Sequence, residues 1–181
     1  MKLLVFSDIH GSCRVAEQIV LLAREHKADQ ILLLGDFLYH GPRNIMPEGY
    51  DPKGTAGILG PLAPDILAVK GNCDSEVDAS ILPFPLADSA WITNGQLRIF
   101  ASHGHVFNQH KLPPLKENDI LLLGHTHVPM ARRHNSGIKL CNPGSLALPK
   151  EGHPPCYGLF DNGVFSVLTS TAELYMQLDC N

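Results

Sequence analysis

The sequence predicts a single-domain α/β protein over residues 1–181, a four-layer α/β/β/α sandwich of two mixed sheets flanked by helices. Three observations carry that prediction. Short apolar runs at Leu3 to Phe6, Ile31 to Leu34, Ile66 to Val69 and Ile120 to Leu123 are unbroken rather than alternating, as in strands buried on both faces. A stretch of helical periodicity joins the first two runs, which makes a βαβ unit whose crossover is almost always right-handed. The second half of the chain carries three hairpin signals instead.

Composition narrows the class. A chain of 181 residues suits one domain with a substantial core and would cramp two. Its hydrophobic fraction of 44% and charged fraction of 18% are those of an ordinary globule. A formal charge of -4, with no basic run beyond Arg132-Arg133, speaks against polymeric nucleic acid or an anionic membrane as partner. The N-terminal apolar run stops at Ser7-Asp8, short of a signal-peptide core or a membrane span, so a cytoplasmic location is expected. Cysteines at 13, 73, 141, 156 and 180 are odd in number and lack C-x-x-C spacing, which points to neither a disulfide framework nor a thiolate zinc site.

Taken in order, the first strand is followed by a helix from Cys13 to about His26, with Val15, Ile19, Leu22 and Ala23 on one face. Phe37 to Lys53, punctuated by Gly41-Pro42, Met46-Pro47 and Asp51-Pro52, reads as a long irregular loop. Loops of that length over a strand edge are often part of a site. A short helix is expected over Gly54 to Leu62, then the third strand and Gly71-Asn72-Cys73-Asp74. The hairpins are Trp91 to Thr93 with Gln96 to Ala101, Ala131 to His134 with Ile138 to Cys141, and Gly158 to Asp161 with Val164 to Leu168. A further short helix is expected between Asn108 and Asn118, and Trp91 and the phenylalanines are expected in the core. Crossover units followed by hairpins imply that the first sheet is mixed and the second mostly antiparallel.

Ten histidines are the compositional anomaly, and their positions are informative. The strand ends present Asp8 and His10, Asp36, Asn72, His103, and His125 and His127. In open α/β sheets ligands bind beyond the carboxyl ends of the strands. Alone, Asp8-x-His10 reads as a turn or helix cap and Asn72 as a turn residue, while His125-Thr126-His127, alternating as on one face of a strand, suggests a metal without deciding it. Together they give every buried strand of the first sheet a metal-competent ending. Asp, Asn and His without thiolate suit hard or borderline divalent ions, with Mn²⁺ expected and Fe²⁺, Zn²⁺, Ni²⁺ or Mg²⁺ as alternatives. Seven ligands are too many for one ordinary site and suitable for two, with Asp36, on a strand expected to be central, as the natural bridge. His26, His110, His134 and His153 are read as structural or surface residues, and Arg14 as surface.

The ordered series Asp8-x-His10, Gly35-Asp36, Gly71-Asn72-Cys73-Asp74, Ser102-His103-Gly104-His105 and Gly124-His125-Thr126-His127 resembles the calcineurin-like metallophosphoesterases. Asn142-Pro143-Gly144-Ser145, and Gly35 through Asn44, resemble the compact phosphodiesterase branch of that family. The resemblance implies one ion on Asp8, His10, Asp36 and His127 and another on Asp36, Asn72, His103 and His125. It implies hydrolysis of small phosphodiesters by a hydroxide shared between the ions, with Asp36, Asn72 and His103 catalytic through them. Many relatives carry a histidine directly after the Gly-Asn pair as proton donor to the leaving group, where this chain has Cys73, a poor substitute. Cys73 reads first as a small packed residue. His40, Arg43, Asn44, Cys73 and His105 are the candidates for contact with substrate. The rival readings are a phosphomonoesterase or nucleotidase with the same centre, and an interaction scaffold like the retromer subunit that shares this fold. The intact ligand set argues against the scaffold. A homodimer or higher homo-oligomer is expected from the resemblance alone.

Overall fold

The computed structural model describes residues 1–95 and 97–181; Gln96, expected to open a strand, lies outside the described residues. The first sheet has seven strands in the order β12-β11-β10-β1-β2-β3-β4. Its parallel half comprises β1 (Lys2–Phe6), β2 (Gln30–Leu33), β3 (Ile66–Val69) and the two-residue β4 (Leu86–Ala87). Its antiparallel half comprises β10 (Cys156–Asp161), β11 (Val164–Thr169) and β12 (Leu174–Asp179).

The unbroken apolar runs are explained by burial on two faces. Leu4, Phe6, Ile31 and Leu33 pack against the helices α1 (Cys13–His26) and α2 (Pro52–Leu59), through Val15, Ala16, Ile19, Leu22, Ala56 and Leu59. Leu3, Val5, Leu32 and Leu34 face the other way, into a core shared with the second sheet. Helix α1 starts at Ser12, whose hydroxyl accepts from the Val15 amide, and stops at Lys27 in the left-handed region.

The second sheet runs β5-β6-β7-β9-β8, from β5 (Ala90–Asn94), β6 (Leu97–Ala101), β7 (Ile120–Leu122), β8 (Met130–Arg133) and β9 (Lys139–Asn142). It departs from the mostly antiparallel arrangement expected of it. Strands β6, β7 and β9 are parallel neighbours, and only the outer pairings are antiparallel. The third hairpin, β10–β11, returns to the first sheet beside β1. Parallel β6 and β7 end on the same edge, so His103 and His125 emerge side by side; an antiparallel pair would have sent them to opposite edges.

Other local expectations shift for identifiable reasons. Helix α2 begins earlier, at Pro52, because the Asp51 carboxylate caps it through the Gly54 amide, and a 3-10 turn over Gly60–Asp65 follows. Helix α3 (Glu76–Ile81) is held by a capping box between Ser75 and Asp78. Between Asn108 and Asn118 there is no helix; Phe107, Leu112 and Leu115 still cover the outer apolar face of the second sheet. Trp91 is 45% exposed on edge strand β5, where it packs on Phe100 and under the Arg98 guanidinium.

Candidate metal centre

The chain remains zipped beyond the strand ends. The Asp8 amide donates to Gly35 O, the His10 amide to Asp36 O and the Gly11 amide to Phe37 O. In the second sheet the Gly124 amide donates to His103 O and the Leu123 amide to Cys141 O. These bonds extend each sheet past its strands, and the two ligand-bearing edges meet through the His125 amide on Asp8 Oδ2 and His103 Nδ1 on Leu34 O. Asp8, His10, Asp36, His125 and His127 all have positive φ, between 51° and 66°. Asp and His enter that region more readily than most residues, at roughly 1–3 kcal/mol each. Local strain concentrated on one set of side chains marks a place where their direction matters.

Each buried histidine is oriented by a carbonyl behind it. His10 Nδ1 donates to Tyr39 O at 2.7 Å, His127 Nδ1 to Leu148 O at 2.6 Å and His103 Nδ1 to Leu34 O at 2.5 Å. A carbonyl only accepts, so the proton sits on Nδ1 and the Nε2 atoms turn inward. The His10 and His127 Nε2 atoms lie 3.3 Å apart, and 3.8 and 3.4 Å from Asp8 Oδ1. Asp8 Oδ2 is satisfied by Ser7 Oγ and the His125 amide. Its Oδ1 is buried and, among the described residues, has no hydrogen-bond partner. Lone pairs converging on an unsatisfied carboxylate oxygen fit a divalent cation and little else.

Asp36 joins this cluster to a second one. Its Oδ2 is 3.7 Å from His10 Nε2, and its Oδ1 is 3.5 Å from His103 Nε2 while accepting the Cys73 amide at 2.8 Å. His103 Nε2 is 3.1 Å from Asn72 Oδ1 and 3.2 Å from His125 Nδ1. Ligand atoms of Asp8, His10 and His127, and of Asp8, Asp36 and His103, fall within 4.8 Å of one another. All seven predicted ligands therefore gather in one place.

The electrostatics agree. Burial works against charging His103, but its hydrogen bond to Asp36 and the nearby carboxylates raise it to about 9. Burial would raise Asp36, yet His103 and the Cys73 amide hold it well below the usual carboxylate range. His127 and His125 are lowered, chiefly by burial, and stand neutral. The Cys73 thiol is also grouped with His10 and Asp36, but burial and the Asp36 charge push it up to about 12, so it offers no thiolate.

A cavity of about 700 Å³ opens over the cluster, with Asp36, Asn72, His125 and His127 in its wall. Arg43, Asn44 and Cys73 line it as expected of substrate contacts. His40 does not; it packs between Tyr39 and Tyr50, with Nδ1 3.4 Å from the Tyr50 hydroxyl. His105 is exposed, with its ring 5.4 Å from that of His103, and lines a separate cavity beyond Asn72.

Two residues carry roles that reading the strand ends missed. The buried Asp74 carboxylate accepts the amides of Asp36, Phe37 and Gly71 at 2.7 to 2.8 Å, clamping two ligand loops together. Its place in the Gly-Asn-Cys-Asp motif was the available signal. Lys150 lines the cavity, and a single lysine after Pro149 carries no pattern. The Asn142 to Ser145 stretch braces the last ligand loop: Asn142 Nδ2 donates to Gly124 O, and Ser145 Oγ donates to Asp8 O while accepting the Leu148 amide.

A model of the calcineurin-like phosphoesterase superfamily domain matches residues 1–163. The phosphodiesterase YfcE of Escherichia coli is 45% identical over 170 residues, covering 93% of this chain and 91% of that protein. A solved structure of that E. coli phosphoesterase superposes with a TM-score of 0.97 at 43% identity, covering 100% of both chains. A probable metallophosphoesterase of Mycoplasma genitalium is 28% identical over 171 residues, covering 88% of this chain and 86% of that one. With the family model spanning nearly the whole ligand series and YfcE alike from end to end, this chain is a member of the calcineurin-like phosphoesterase superfamily.

Proposed function

We propose that the chain is a metal-dependent phosphodiesterase acting on small diesters at a centre of two divalent cations, with Mn²⁺ as the working ion. The observation that carries the reading is the unsatisfied Asp8 Oδ1 facing the inward Nε2 atoms of His10 and His127. Asp8, His10, Asp36 and His127 would hold one cation, and Asp36, Asn72, His103 and His125 the other, with Asp36 shared. When bound, such a pair lowers the pKa of a water between the ions and neutralises charge on the phosphoryl oxygens.

The protein's own share is preorganisation. Carbonyls of Leu34, Tyr39 and Leu148 fix the histidine tautomers and ring planes. Asp74 holds the Asp36 and Asn72 loops at a constant separation. The open cavity admits an ester arm beside the reacting phosphorus. Cys73 stays protonated and uncharged, so this position does not supply a ready proton to a departing alkoxide, and the reading favours substrates with good leaving groups. The likeness to YfcE favours diesters over monoesters. Turnover of bis-p-nitrophenyl phosphate with added Mn²⁺ tests the proposal. Metal-dependent hydrolysis that falls by about 10³-fold or more in Asp36→Asn is expected. Absence of metal-dependent hydrolysis, or full activity in that variant, would overturn it.

A further inference from the structure

We infer that the preferred diester carries a second anionic group, a carboxylate or a phosphate, on the arm that lies in the cavity, and that Arg43 and Lys150 receive it. This rests on the reaction proposed above and specifies its substrate.

Arg43 and Lys150 both line the cavity that opens over Asp36 and His127. Both are exposed, and among the described residues neither has a carboxylate within 4.0 Å. Among the described residues, cations without a carboxylate partner are common on this surface, Arg24, Lys53 and Arg133 included; what sets Arg43 and Lys150 apart is that the wall of this one cavity holds both. Two cations in the wall of one cavity, in a chain of net charge -4, are a local departure from the overall balance. A phosphodiester carries one negative charge at the reacting phosphate, and a centre of two divalent cations meets it without help. The two side chains are then free to meet a different anion.

Their backbones are held in place. Arg43 sits in a turn closed by the Asn44 amide on Gly41 O and by Asn44 Nδ2 on His40 O. That turn lies close against Cys73: a Cβ on Gly41 would stand 3.3 Å from its sulfur. Lys150 lies two residues beyond Leu148, whose carbonyl receives His127 Nδ1, and its own carbonyl accepts the His153 amide. Both cations are thus tied to segments that touch the ligand cluster. The cavity, at about 700 Å³, is of the size that takes a whole small ligand rather than a bare phosphate.

The experiment compares three diesters that share p-nitrophenolate as leaving group, with an ethyl, a carboxymethyl or a phosphoethyl group as second arm, on the Mn²⁺-loaded protein. The charged arms are expected to raise kcat/KM over the ethyl arm by about tenfold, and the better of the two identifies the anion. In Arg43→Gln and Lys150→Met the ratio of charged to ethyl kcat/KM should fall towards one. An unchanged ratio overturns the inference. So does an equal loss on all three arms, which would assign the cations to the reacting phosphate. Calorimetry with phosphoglycolate and ethyl phosphate reads the same preference without turnover. If no diester is hydrolysed the proposed reaction fails, and equal affinity for those two ligands would then remove this inference as well.

Discussion

Asp8, His10, Asp36 and His127 are buried almost completely, whereas Asn72 is exposed and His125 half-buried. In the inner group a carbonyl orients each ring, and Asp8 Oδ2 and Asp36 Oδ1 accept hydrogen bonds. The outer group is looser on its cavity side: His103 is buried and oriented by Leu34 O, but Asn72 Nδ2 rests on the Cys73 sulfur, and His125 and Asn72 line the cavity. The same donor chemistry in two degrees of enclosure predicts two affinities, a tightly held ion and an exchangeable one.

The most direct way to break the contrast is to remove one ligand from each group. Asp8→Ala should abolish both activity and the retained metal after dialysis, read by elemental analysis. Asn72→Ala should keep one ion per chain and raise the Mn²⁺ concentration for half-activation by about 10–100-fold. Equal losses in the two variants would show that the groups act as one site.

A smaller effect is expected from Asp74→Asn, which brings an amide NH₂ into a position where three backbone N–H groups already donate. It should cost about 1–3 kcal/mol of stability and about 10–100-fold in activity, measured by denaturant unfolding and by turnover. Because Asp74 holds the Gly71–Asn72 loop as well as the shared Asp36, the ion proposed on Asn72 should suffer more than the one proposed on His127.

The smallest effect sharpens the electrostatic side. His103 has its pKa raised from the ordinary 6.5 to about 9 when folded, so its contribution to stability is complete below pH 6.5 and lost as pH rises through 9. Asp36, held low, contributes above its ordinary 3.8 and loses that contribution as pH falls. His125 and His127, lowered by burial, cost stability as pH falls below their ordinary 6.5, so the chelated protein should melt highest near pH 6.5 and decline on both sides. Adding Mn²⁺ should remove the alkaline decline, since the cation takes the place of the His103 proton; thermal scans against pH in both states check this.

Much of the centre was legible because burial and chemistry left their marks in the same short words. An apolar run broken by Gly-Asp or Gly-His states both where a strand ends and what it delivers. Strand β3 and helix α1 were found at their observed limits for the same reason. What was hidden depends on partners far along the chain. Asp74 looks like one more turn acid until Asp36, Phe37 and Gly71 are seen to donate to it. The sheet to which β10 and β11 belong is decided by β1, some 150 residues earlier. Strand β12 lies at a sheet edge with mostly exposed side chains, and only Met176 and Leu178 pack partly against the core. Trp91 is apolar enough for a core, but its strand β5 is the edge of the second sheet, where Arg98 covers one face of the ring.

Gly71 and Gly124 leave no room for a side chain: a Cβ on the first would overlap Asp36 Oδ1, and one on the second Ser7 Oγ. These two positions act as gauges of what the fold is kept for. A descendant that had given up chemistry for partner binding would be under no obligation to reserve that space, and alanine or serine could settle there once Asp36 or Ser7 had changed. Glycine at both places leaves Asp36 Oδ1 and Ser7 Oγ the space they occupy.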